Sequence, residues 1–176
     1  MSAEPELKIL IPRQRIKAAV DRLAAEVSAD YRGKNPLLIG LLTGSFIFLA
    51  DLVRKLDFPL ELEFMDASSY GKETDPGEIK LIKDVSTEVD GRDVLVVDDI
   101  LDTGRCASFV FDHLSRKNTS SVKQCFLLDK PERRQMQVEA DYVGIQIPDK
   151  FVVGYGIDWN EKYRNLPDIY ALEFQS

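Results

Sequence analysis

The chain has 176 residues, 44% of them hydrophobic and 30% charged, the balance of a folded globular protein and not of a disordered, collagen-like or disulfide-stapled one. Its 23 basic against 30 acidic residues leave a formal charge of −7, which argues against broad nucleic-acid binding through clustered positive charge but leaves room for a local anion site. One domain is expected at this length, able to bury a core without disulfides or a structural metal.

Residues 1–10 carry Glu4 and Glu6 and lack a basic stretch followed by an apolar one, so they do not read as a secretory signal. Pro12 stands where a helix would begin, and Ile16, Val20, Leu23 and Val27 then follow at spacings of four, three and four. That is the apolar stripe of an amphipathic helix, with Arg13, Lys17 and Glu26 on its outer face. Residues 37–42 form an unbroken apolar run, predicted as a strand buried on both faces, and Thr43-Gly44-Ser45 turns it into a helix over 46–56. Gly40, Thr43, Gly44 and Ser45 break residues 37–50 too often, and the run is too short, to cross about 30 Å of hydrocarbon. No membrane span is predicted.

Leu60, Leu62 and Phe64 alternate with Glu61 and Glu63, the pattern of a half-buried strand. Between Asp66 and Glu78 the chain is polar and glycine-bearing, with Tyr70 its only large apolar residue, and reads as a mobile loop or irregular hairpin. Gly91 closes a polar turn before a second apolar run at 94–97. Asp98-Asp99-Ile100-Leu101-Asp102-Thr103-Gly104 follows, then a helix carrying Phe109, Val110 and Leu114. Further strands are predicted at 122–128, 142–147 and 151–153. Alternating strands and helices with unbroken apolar strands imply an α/β fold whose parallel sheet is covered on both faces. Cys106 and Cys125 have no partners at metal-ligand spacing and read as reduced cytoplasmic thiols; His113 reads as a surface residue of its helix.

In open α/β sheets ligands bind beyond the carboxyl ends of the strands, where Asp98, Asp99 and Asp102 fall. Adjacent carboxylates leaving a buried strand repel each other unless hydroxyl donors or a hydrated divalent cation engage them. Thr103-Gly104-Arg105-Cys106 then occupies the strand-to-helix turn, where unpaired N–H groups and the helix dipole favour an anion. One short segment thus offers acceptors for sugar hydroxyls and donors for a phosphate. Asp-Thr-Gly alone is often only a turn or a helix cap; four aliphatic residues and two acids before it make the pattern far more specific. It is not a Walker loop, which ends in Gly-Lys-Ser/Thr, and Gly154 with Gly156 lacks the third glycine of a dinucleotide fingerprint.

Residues 94–106 resemble the phosphoribosyl-diphosphate motif of type I phosphoribosyltransferases. The likeness extends to the hypoxanthine-guanine branch through Leu42-Thr43-Gly44-Ser45, Ser68-Ser69-Tyr70-Gly71, Leu127-Leu128-Asp129-Lys130, residues 151–158 and Tyr163-Arg164-Asn165-Leu166-Pro167. The resemblance implies one domain over 1–176 with a mostly parallel central sheet flanked by helices. Its core would lie at about 35–150, and the N-terminal segment, about 151–176 and a flexible loop would form a small hood. The implied activity is that of a pentosyltransferase of purine salvage. It would move the 5-phosphoribosyl group of 5-phosphoribosyl 1-diphosphate, with Mg2+, to N9 of hypoxanthine or guanine, giving IMP or GMP and pyrophosphate.

By the same resemblance, Asp98 and Asp99 would hold the ribose hydroxyls directly or through Mg2+, with Asp158 a ligand of a second metal ion. Asp102 would be the general base near N7, which requires burial beside other carboxylates to weaken its acidity. Asp102, Thr103, Gly104, Arg105 and Cys106 would wrap the 5′-phosphate. Thr43, Gly44, Ser69, Tyr70 and Arg164 would contact pyrophosphate, the first two through backbone N–H groups at a cis peptide. Ile100, Lys130, Phe151, Val152 and Asp158 would hold the purine, with Lys130 donating to O6, Phe151 stacking and Val152 meeting the Watson–Crick edge. The sequence departs from the family at Thr43, where many members have Lys, and at Cys106, where a Thr or Ser hydroxyl usually meets the phosphate. The implied partners are small-molecule substrates and further copies of the chain, in a homodimer or homotetramer, with neither nucleic acid nor membrane. Xanthine stays open as a substrate and adenine is disfavoured by Lys130. A non-catalytic regulator built on the same fold is disfavoured by Asp102 and by the acidic balance.

Overall fold

The computed structural model describes residues 5–69 and 78–174. Of the loop or irregular hairpin predicted between Asp66 and Glu78, residues 70–77, Tyr70 included, lie outside them, as does the side chain of Ser69, while residues 66–69 continue the preceding strand and pair antiparallel with 79–83. The elements in chain order are β1 (Glu6–Ile11), α1 (Arg13–Tyr31), β2 (Leu37–Leu41), α2 (Phe46–Val53), β3 (Glu61–Ser69), β4 (Ile79–Lys83), β5 (Asp93–Leu101), α3 (Arg105–Ser115), β6 (Ser121–Asp129), β7 (Tyr142–Gln146), β8 (Val152–Val153) and β9 (Ile169–Glu173).

Six strands form the central sheet in the order β4-β3-β2-β5-β6-β7, parallel except for β4, which pairs antiparallel with β3. The unbroken run in β5 is explained by the alternation of its side chains between two cores. Leu95 and Val97 join Ile16, Val20, Leu23 and Val27 of α1 and Phe48 and Leu52 of α2. Val94 and Val96 join Val110 and Leu114 of α3 on the other face. A second sheet, ordered β1-β9-β8 and antiparallel, ties residues 6–11 to 152–153 and 169–173. Neither β1 nor β9 has an alternation strong enough to have been read as a strand.

Four details depart from the sequence reading. Helix α2 ends at Val53, three residues before the predicted end, and its last turn tightens as Lys55 and Leu56 donate to Leu52 and Val53. Strand β5 runs on through both acids to Leu101, because β6 continues to pair with it as far as Asp129. Leu62 is 45% exposed, whereas Glu63 is drawn in and accepts from Phe64 N, Ser86 N, Ser86 Oγ and Thr87 Oγ1. The segment after β4 covers that face of β3, where Met65 is fully buried. His113 is partly buried, with Nε2 2.9 Å from Asp84 Oδ2, an oxygen that also accepts from Lys117.

Candidate active site

The carboxyl ends of β2 and β5 meet at Gly44 and Asp99. A Cβ at Gly44 would lie 2.0 Å from Asp99 Oδ2, so only glycine lets this turn rest against the acid. The peptide between Leu42 and Thr43 is cis, as the family likeness implies. From the other side Gly156 approaches so closely that a Cβ there would meet Gly44 O at 2.2 Å. Arg164 donates to Gly156 O at 3.0 Å and pairs with Asp158 at 3.0 Å. The β2 turn, the β5 acids and the 154–164 segment are thereby brought into one corner, which holds Gly44 and Arg164 of the residues expected at pyrophosphate. Asp158 is taken up by Arg164 and by Glu161 N, an arrangement the sequence did not indicate.

Asp98 and Asp99 are partly buried, and among the described residues no cation is in contact with either. Desolvation, and then the charge of Asp99, hold the Asp98 carboxyl well above the usual range. Desolvation raises Asp99 too, opposed by hydrogen bonding at Asp98 and by the more distant charge of Arg164. Among the described residues no three His, Cys, Asp or Glu side chains converge on one metal position. Two carboxylates still suit Mg2+, which commonly takes one or two protein carboxylates and completes its shell with water and substrate phosphates.

Asp102 to Cys106 form the turn into α3. Gly104 adopts φ +84° at the N-cap, and no side chain caps the helix. Its freedom has a second use, since a Cβ would meet Arg134 Cδ at 3.0 Å and Val138 Cγ2 at 3.1 Å. Thr103 O accepts from Gln135 N and Met136 N, and Arg134 bridges Asp102 O and the buried Asp129 carboxylate. Arg134 thus buttresses the turn, a role that Arg133-Arg134 after Lys130 gave no pattern to reveal. The Cys106 thiol faces Ala67 O at 3.7 Å and packs in the α3-side core. Burial, above all, pushes its pKa up to about 12. The backbone N–H is therefore what Cys106 has to offer an anion here, and the lost hydroxyl is not replaced by the thiol.

Beyond the turn lies a pocket of about 180 Å3 walled by Ile100, Asp102, Lys130, Arg133, Asp149, Phe151, Val152 and Ile157. It unites Ile100, Asp102, Lys130, Phe151 and Val152 from the sequence reading and leaves Asp158 outside its wall. Arg133, Asp149 and Ile157 were missed. Lys130 is 5% exposed, anchored by its N–H to Leu101 O, and no described residue takes up its ammonium. Burial lowers its pKa, against the pull of Asp102 and Asp149. Asp102 Oδ1 is the one buried side-chain oxygen without a hydrogen-bond donor among the described residues. Asp102 does not lie buried among other carboxylates, as the sequence reading required; its side chain is 39% exposed and its near neighbour is the Arg133 guanidinium. Phe151, 59% exposed, meets Phe174 edge-on.

A phosphoribosyl transferase domain model matches residues 8–160. The chain belongs to the phosphoribosyltransferase family, in its hypoxanthine-guanine branch. It is 48% identical over 170 residues to the hypoxanthine-guanine phosphoribosyltransferase of Aquifex aeolicus, covering 96% of each chain. The crystal structure of a hypoxanthine-guanine phosphoribosyltransferase from Bacillus anthracis superposes with a TM-score of 0.90 at 45% identity, covering 94% of this chain and 99% of that one. The chain also matches the bifunctional protein TilS/HprT of Listeria innocua at 47% identity over 167 residues, 94% of this chain, and spans 26% of that protein's length. The type I phosphoribosyltransferase fold expected from the sequence is the fold observed. No described helix is long and apolar enough to cross a membrane.

Proposed function

We propose that the chain transfers the 5-phosphoribosyl group of 5-phosphoribosyl 1-diphosphate to N9 of hypoxanthine or guanine, releasing pyrophosphate and forming IMP or GMP for purine salvage. One observation carries the substrate assignment: among the described residues the pocket wall holds one ammonium without an acceptor, Lys130, and one carboxylate that receives no hydrogen bond, Asp102. A 6-oxopurine presents their complement on a single edge, an acceptor at O6 beside a proton on N7. A 6-aminopurine would set a donor against the ammonium, which has three donors and no acceptor.

Asp102 accepts the N7 proton as N9 bonds to C1′, so no positive charge stays on the purine. Phe151 supplies an exposed ring for stacking, and Val152 lends its backbone to the Watson–Crick edge. The turn from Asp102 to Cys106 receives the 5′-phosphate on backbone donors and the dipole of α3. Thr43, Gly44 and Arg164 face the pyrophosphate, and Ser69 and Tyr70 are assigned there by family likeness alone. Asp98 and Asp99 are the residues that would hold Mg2+ or the ribose hydroxyls, with Asp158 at a second ion; the metal when bound neutralises the leaving diphosphate.

We read β1, β8 and β9 as a hood over the core, both within one domain over 1–176. We further assign the chain to the cytoplasm, in keeping with free thiols at Cys106 and Cys125, as a homodimer or homotetramer, in keeping with Leu62 and Phe46 at 45% and 42% exposure. The decisive measurement is a parallel assay with the diphosphate donor and Mg2+ on hypoxanthine, guanine, xanthine and adenine. Turnover of hypoxanthine and guanine with adenine at least about 100-fold poorer is expected. Failure to turn over either 6-oxopurine overturns the reading.

A further inference from the structure

The chain turns sharply after Lys130. Pro131 begins a single 3-10 turn, closed by Arg133 N donating to Lys130 O at 3.1 Å, which returns Arg133 to the wall of the same pocket. Its guanidinium stands between two carboxylates: Nε is 3.1 Å from Asp102 Oδ1, and the other end is 3.6 Å from Asp149 Oδ1.

The contact with Asp102 is unusual in one respect. The distance is that of an ion pair, yet the N–H is not aligned to donate, and Asp102 Oδ1 is left with no hydrogen-bond donor among the described residues. Arg133 attracts the buried Oδ1 by charge, and the exposure of the side chain falls to the rest of the carboxylate, which receives no hydrogen bond among the described residues. Asp149 attracts the other end of the guanidinium and so helps to hold it beside Asp102. A planar, delocalised cation can serve two acids at once in this manner; a single ammonium point charge does so less well.

We infer that Arg133, held by Asp149, is a positioning residue that fixes the buried Oδ1 of Asp102 and so aims the other carboxylate oxygen, Oδ2, into the nucleobase pocket to accept. The inference rests on the reading of this pocket as the nucleobase site. It adds to that reading a source of orientation for the proton acceptor, placed on the turn that also delivers Lys130.

The test is steady-state kinetics of wild type, Arg133→Met, Arg133→Lys and Asp149→Asn with hypoxanthine, the diphosphate donor and Mg2+, alongside thermal melts. Arg133→Met is expected to lower kcat by about 10- to 100-fold, since loosening a reacting group by a fraction of an ångström has effects of this order, with the KM for the donor unchanged within about twofold. Arg133→Lys should recover part of the loss. Asp149→Asn should lower kcat in the same direction but less, because Arg133 is then held by Asp102 alone. Wild-type kcat in Arg133→Met overturns the inference. So does a loss that comes with a lower melting temperature and a raised donor KM, the mark of a merely structural role. Wild-type kcat in Asp149→Asn removes Asp149 from the device. A wild-type chain inactive on hypoxanthine and guanine instead sinks the functional reading, so the two failures are told apart by the control.

Discussion

Around the pocket proposed for the nucleobase, Lys130 and Arg133 face Asp102 and Asp149, so the charges balance and, among the described residues, what stays over is the Lys130 ammonium as donor and the Asp102 carboxylate as acceptor. Three residues upstream, Asp98 and Asp99 share a desolvated strand end with no cation in contact among the described residues, and both carboxyls are pushed up. On the proposed function the first region recognises a pattern of hydrogen-bonding groups and the second receives charge or hydroxyls from a ligand. Two desolvated acids side by side are a cost in the free protein, met there by the hydrogen bond between them that raises Asp98 and lowers Asp99. The same β5 leads into both regions, which on the proposed function brings an activated sugar and a base within bonding distance.

The contrast breaks most visibly at Asp102. Asp102→Asn keeps the shape of the pocket but supplies an amide in place of the free acceptor, and kcat is expected to fall about 10²- to 10⁴-fold while donor affinity, measured by equilibrium binding, changes little. Comparable losses in both would show that Asp102 belongs with the acid pair. Lys130→Met tests the donor half. The kcat/KM for hypoxanthine and guanine should drop about 10- to 100-fold, as loss of a hydrogen bond from a charged group predicts, and the preference over adenine should shrink with it. An unchanged preference would remove Lys130 from recognition.

At the acid pair the expected sign is reversed. Asp99→Asn replaces a desolvated acid by a neutral amide, so the ligand-free protein should melt about 2–4 °C higher, while the rise in melting temperature on adding donor with Mg2+ should be smaller than in wild type. A lower melting temperature without ligand would mean that the pair is satisfied within the protein. The smallest effect is reserved for Glu63, a carboxylate whose four hydrogen bonds make it the counterpart of Asp98. Ser86 above all, with Phe64 and Thr87, holds its pKa down to about 2. Its folded pKa lies below the unfolded one, near 4.5, so its stabilisation is present above that value and fades as pH falls toward 2. Glu63→Gln should therefore lower the melting temperature by about 2 °C or less at pH 7, and the difference should close in acid. A difference that persists at pH 2 would assign it to packing instead of charge.

Much of the site was legible because it is local. Residues 98–106 join acid, turn and helix start in one stretch, and the chemistry of that stretch follows from strand and helix geometry alone. Lys130 and Phe151 could be assigned only through family likeness, since a lysine before a proline and an aromatic-aliphatic run have commoner structural uses. Arg133, Arg134 and Asp149 were illegible for a different reason. An arginine's partners are set by where a turn returns it, and the 3-10 turn after Lys130 is too short to announce itself in a pattern.

By itself the sequence determined the alternating elements, the two-faced burial of β2 and β5 and the placement of three acids at a strand end, because side-chain periodicity and turn chemistry act over a few residues. Tertiary structure alone decided that Leu62 faces solvent while Glu63 is held, that Gly156 presses on Gly44, and that the Cys106 thiol turns to Ala67. It also decided which of the acids are paired. Burial and charge balance are sums over neighbours distant in the chain, and no local pattern encodes them.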